Sequence, residues 1–143
     1  MTWAAIDPKD AATGEIVLLP LMLCHRPIFK ELIGGTINGM TSDPRTVDVL
    51  CHLIAFTTPK VIVEVGTYKG IGTAAMAETL NVFGLHESHV WTCDPVDYEA
   101  TAFLEATTLT PLVTVVQGTF EQLLTILPSP MDFCYIDASA KDE

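Results

Sequence analysis

The stretch Val61-Ile62-Val63-Glu64-Val65-Gly66-Thr67-Tyr68-Lys69-Gly70-Ile71-Gly72 decides the fold. Its first five residues are β-branched apart from one glutamate, and Pro59 and Gly66 bound them. Short strands that are apolar on both faces belong to parallel sheets covered by helices. Gly66 to Gly72 reads as a glycine-rich turn. Thr73 to Val82 reads as a helix, with Gly84 just past its end. A strand, a glycine turn and a helix in that order open a βαβ unit.

The alternation repeats downstream. His89 to Cys93 is a second strand, ending at Asp94-Pro95. Tyr98 to Thr107 predicts a helix, and Leu112 to Val116 a third strand that ends at Gln117-Gly118. Thr119 to Leu127 predicts a helix stopped by Pro128 and Pro130, and Asp132 to Ile136 a fourth strand ending at Asp137. Upstream, Ser42 or Asp43 can cap a helix with Pro44 at its first position. Val47, Leu50, Cys51, Ile54 and Ala55 give that helix one buried stripe, and Thr57-Thr58-Pro59 ends it. Pro27 to Leu32 predicts a short helix, and Gly34 to Met40 a loop.

The whole is α/β: a Rossmann-like doubly wound parallel sheet over residues 59–143, incomplete at about four strands, with an N-terminal helical cap over residues 1–58. The first strand is expected in the middle, with the fourth on its far side as an uncovered apolar edge. The expectation is a piece of a larger domain, or a domain completed by another chain, which makes a homo-oligomer a candidate.

Composition narrows the partners. The 143 residues carry 18 Asp+Glu against 7 Lys+Arg, a formal net charge of -11. No cations cluster, so neither nucleic acid nor an anionic membrane surface is an expected partner. No apolar run reaches the roughly 18–20 residues that span a bilayer. The N-terminus lacks a basic stretch followed by an apolar one, so a cytoplasmic location is expected. Cys24, Cys51, Cys93 and Cys134 form no CxxC pair and read as reduced core thiols. His86 and His89 have no further ligand near them in sequence.

In open α/β sheets ligands bind outside the carboxyl ends of the strands. Glu64 with the glycine turn, Asp94, Gly118-Thr119 and Asp137 all fall there. Gly66 and Gly70 permit a tight turn and close backbone approach. The helix behind them offers free N–H groups to an anion. A carboxylate at the second strand's end can accept both hydroxyls of a ribose, and Gly118-Thr119 can face an adenine edge. The spacing is GxxxGxG, neither the GxGxxG of dinucleotide folds nor a P-loop.

On these residues the chain resembles the class I S-adenosylmethionine (SAM)-dependent methyltransferases, and most nearly the small-molecule O-methyltransferases of the catechol and caffeoyl-CoA type. Val61 to Ala77 is similar to their first motif without a gap, and Met40-Thr41-Ser42 to the lip that closes on the cofactor. Trp91 to Asp94, Val115 to Thr119 and Asp132 to Ala138 resemble the next three motifs in order.

The resemblance implies a role for each matching residue. Glu64 would hold the methionine amino group. Gly66, Tyr68, Gly70 and Gly72 would shape the wall along the methionine moiety, and Met40 and Ser42 would close over it. Asp94 would bind the ribose, and Gly118 and Thr119 would flank adenine. Asp137 would be the catalytic residue beside the sulfonium and a small-molecule acceptor. In metal-dependent members the matching aspartate also holds a divalent cation such as Mg. There a lysine follows that aspartate by three residues, whereas here Lys141 follows Asp137 by four. Two other readings stay open at this point: a non-catalytic partial domain or subunit, and a nicotinamide-dependent oxidoreductase of related fold.

Overall fold

In a computed structural model the chain is described over residues 44–138. In chain order the elements are α1 (Pro44–Thr57), β1 (Val61–Val65), α2 (Ile71–Phe83), β2 (His89–Asp94), α3 (Ala100–Glu105), a 3-10 turn (Thr110–Leu112), β3 (Val113–Gln117), α4 (Phe120–Leu124) and β4 (Phe133–Ile136). The four strands form one sheet in the order β3-β2-β1-β4. Every pairing is parallel, with Glu64 opposite Thr92 on one side and Tyr135 on the other. This is the expected architecture, with the first strand inside and the fourth at an edge.

Among the described residues the two faces of the sheet are covered unequally. Ile62, Val90, Val113, Val115, Phe133 and Tyr135 face α1 and α2, which bring Leu50, Cys51, Ile54, Ala74, Ala75, Met76, Ala77 and Leu80 into one core. The stripe read from the sequence of α1 thus packs on α2, and the Cys51 thiol bonds the Ala75 carbonyl at 3.6 Å. So the described part of the expected cap shares a core with the sheet. On the opposite face a smaller cluster joins Val61, Val63, Cys93 and Leu123, with Val65, Trp91, Val116 and Phe120 against it.

Two helices are shorter than the sequence predicts, each for a local reason. Ahead of α3 the Asp94 carboxylate accepts the Val96 N–H at 3.0 Å, and Glu99 takes a left-handed φ of 68°. Residues 94–99 are held as a turn, so the helix begins at Ala100. After Leu124, the Thr125 hydroxyl bonds the Gln122 carbonyl at 2.7 Å and the Ile126 N–H reaches Leu123. That tightened last turn ends α4 before Leu127. Gly84 caps α2 with a left-handed φ of 66°, at the predicted place. The predicted Pro27–Leu32 helix and the Gly34–Met40 loop lie outside the described residues, as do Met40, Ser42 and Lys141.

Candidate active site

The carboxyl edge of the sheet is joined by backbone bonds across all four strand ends. Gly66 N–H and Thr67 N–H both reach the Cys93 carbonyl, at 2.9 and 3.3 Å. Gly118 N–H reaches the Asp94 carbonyl and Asp137 N–H the Val65 carbonyl, each at 2.9 Å. The four segments singled out in the sequence are therefore brought together.

The glycine turn is shaped by close approach. Gly66 sits at φ 105°, and a Cβ there would lie 2.8 Å from the backbone oxygen of Asp137. Gly70 sits at φ 78° against Phe103, Ala100 and Leu104 and starts α2. A Cβ on Gly72 would come within 2.9 Å of Glu64 Oε1, so this glycine leaves room for the carboxylate. Tyr68 is itself left-handed, φ 46°. Its N–H donates to Asp94 Oδ2 at 2.9 Å, and its ring lies 4.9 Å from that of Tyr98. Asp94 thus holds the turn with one oxygen and residue 96 with the other. Each oxygen can accept further bonds, because a carboxylate has about four acceptor positions.

Glu64 is 2% exposed. Its Oε2 accepts from the Thr73 hydroxyl and, at 2.6 Å, from the Thr92 hydroxyl. The Thr67 and Thr92 hydroxyls are themselves 2.6 Å apart. With Thr92 donating to Glu64, Thr67 donates to Thr92. Burial pushes the Glu64 carboxyl up to about 7; the two hydroxyl bonds oppose that rise, and the nearby charges of Asp137 and Asp94 add to it.

Thr119 has a structural use besides the adenine contact that the resemblance implies for it. Thr119 is the N-cap of α4: its hydroxyl accepts from Gln122 N–H at 3.4 Å, and its N–H donates to Gln122 Oε1 at 2.8 Å. Residues 67, 73, 92, 98 and 122 were not singled out from the sequence. Thr92 had a signal: aligned as parallel neighbours, the first two strands put it opposite Glu64 on the same face. Thr73 lies in the first helical turn, where a hydroxyl reaches back to the preceding strand end.

The methyltransferase-domain family matches residues 63–143, more than half of the chain, and the chain belongs to that family. No curated protein matches it in sequence. Among solved structures, the Podospora anserina methyltransferase PaMTH1 with SAH bound is 15% identical at a TM-score of 0.66, over 96% of this chain and 61% of that one. The Bacillus cereus O-methyltransferase in complex with SAH is 20% identical at 0.62, over 92% and 60%. The Streptomyces achromogenes O-methyltransferase TomG, of tomaymycin synthesis, in complex with SAM, is 16% identical at 0.60, over 92% and 60%. At such identities the likeness is one of fold, that of the class I methyltransferases. The chain spans between about half and three-fifths of the length of the structures it matches.

Proposed function

We propose that the chain binds SAM at this edge and belongs to a protein that moves the methyl group of SAM to a small-molecule acceptor, at a hydroxyl oxygen. The observation that carries the reading is the Asp94 carboxylate bonded to the Tyr68 N–H, which makes the expected ribose ligand and the glycine turn one unit. The donor set suits the ligand. Glu64, Asp94 and Asp137 converge on one edge, favourable to a molecule that carries a sulfonium and an ammonium. The first turn of α2, thirteen residues long, meets that edge and suits a carboxylate.

When bound, SAM supplies an electrophilic methyl on sulfur. The chain's own work is alignment, which can be worth roughly 7–11 kcal/mol. Gly66, Tyr68, Gly70 and Gly72 form the wall, Asp94 holds the ribose, and Gly118 with Thr119 borders adenine. By the resemblance, Met40 and Ser42, outside the described residues, would close over the methionine end. Asp137 orients the acceptor hydroxyl and takes its proton. Among the described residues Asp137 is the carboxylate that would hold a divalent cation. Hard cations take six or more oxygens. Asp137 brings one carboxylate, and among the described residues no group of three His, Cys, Asp or Glu side chains could hold an ion.

Calorimetric titration with SAM, and with NAD as control, tests the reading. Saturable binding of SAM alone is expected, weakened at least tenfold in Asp94→Ala while circular dichroism stays unchanged. Binding of NAD without SAM would overturn it in favour of an oxidoreductase.

A further inference from the structure

We propose that Glu64 couples ligand binding to proton release: its carboxyl, buried among neutral hydroxyl donors, holds a proton in the free protein, and a cationic ligand drives that proton into solvent. The inference rests on the SAM reading above. Its ground is the geometry around the carboxyl group. Glu64 is 2% exposed, and the donors on its Oε2 are the neutral hydroxyls of Thr73 and Thr92. Among the described residues the ion pair within 4 Å is Lys60–Glu87, which does not involve Glu64.

The charged and titratable groups around Glu64 mostly carry negative charge when ionised. Asp94 comes from the end of β2 and Asp137 from the end of β4. Tyr135 is the register partner on β4, and Cys93 precedes Asp94 on β2. α2 contributes Thr73 and, further along, Glu78. Lys69 is the cation of the glycine turn, with Nζ 5.6 Å from the Tyr68 ring centroid. Burial among neutral donors and like charges favours the protonated acid. An ammonium placed within about 4–6 Å reverses that preference. The O–H bond of the Glu64 carboxyl then breaks, its electron pair stays on oxygen, and the proton passes to water.

The test is calorimetry of the full chain with SAM, at three pH values and in pairs of buffers that differ in ionisation enthalpy. Glu64→Gln run in parallel subtracts any proton exchanged by SAM itself. The difference is expected to be close to one proton released at about pH 6, about half at pH 7 and nearly none at about pH 8.5, with affinity about tenfold weaker at the acid end. Thr92→Val, which loses one donor to the carboxylate, should move the midpoint to higher pH. Saturable binding with equal proton counts in the native and Glu64→Gln proteins overturns the coupling and leaves the SAM reading standing. A folded chain that binds no SAM at pH 8.5 overturns that reading, and the coupling with it.

Discussion

Glu64 marks the chain's stability as well as its ligand edge. Its folded-state carboxyl is raised from 4.5 to about 7, chiefly by burial. A carboxyl raised in the folded state favours folding below its unfolded value, and that contribution is lost as pH rises through the folded value. Glu64 therefore destabilises the fold progressively between about pH 4.5 and pH 7, by up to about 3 kcal/mol on the scale of 1.36 kcal/mol per pH unit. Glu64→Gln removes this titration. Urea unfolding should show the native protein losing ground to the variant by about that amount between pH 5 and pH 8. A constant difference would show that Glu64 ionises alike in both states. Gly66 is the other residue under local constraint: Gly66→Ala needs a left-handed conformation and meets the Asp137 backbone at 2.8 Å. Neither neighbour is a flexible side chain, so a loss of about 1–3 kcal/mol is expected in the same assay. Glu64 and Gly66 were visible in the sequence as members of one motif. The Thr92 hydroxyl was not, because a threonine on a strand reads first as a β-branched filler.

At the scale of elements, α4 owes its start to the reciprocal bonds of Thr119 and Gln122. A five-residue helix has little else to nucleate it. Thr119→Ala should cost about 1 kcal/mol. Gly118→Ala should cost a similar amount, because its Cβ would lie 2.2 Å from Gln122 Oε1 and displace the oxygen that accepts the Thr119 N–H. Equilibrium unfolding checks both, and a larger loss in Gly118→Ala would mean that the turn itself resists a side chain. By contrast α1 is held by packing. Ile54 is fully buried between helix and sheet, and Ile54→Ala should cost about 2–5 kcal/mol.

The elements were legible where one signal dominated. Four short runs rich in β-branched or aromatic residues each ended at or just before an acid or a glycine, and α2 was bounded by glycines at both ends. Legibility failed at α3 and α4, where short local bonds from Asp94, Thr119 and Thr125 decide the ends. Apolar periodicity carries no trace of such bonds. The roles given to the site residues rest on the motif order in the sequence. The fold adds that those motifs meet at one edge.

At the scale of the whole molecule, the described helices cover the sheet unequally. One face lies under α1 and α2, whereas on the other the five-residue α4 packs over β2. β4 is an edge strand whose Cys134 and Ile136 alternate to that thinner side, and Ile136 is 67% exposed. Leu124 and Ile126 are exposed as well. Among the described residues no strand pairs with the outer side of β4, and an apolar edge strand is a template for another chain. Against this stands the formal charge of -11, which makes two copies repel at low salt. The two terms have opposite salt dependence: the repulsion is screened over a Debye length of about 10 Å at 0.1 M, while apolar burial is not weakened. Sedimentation velocity should therefore show association that grows with protein concentration and with added salt. Ile136→Lys places a charge on the edge and should abolish that association. Because Ile136 is largely exposed, the substitution should leave the unfolding free energy within about 0.5 kcal/mol of that of the native protein. Association that survives Ile136→Lys would move the contact off β4, and association that weakens with salt would make it electrostatic in origin.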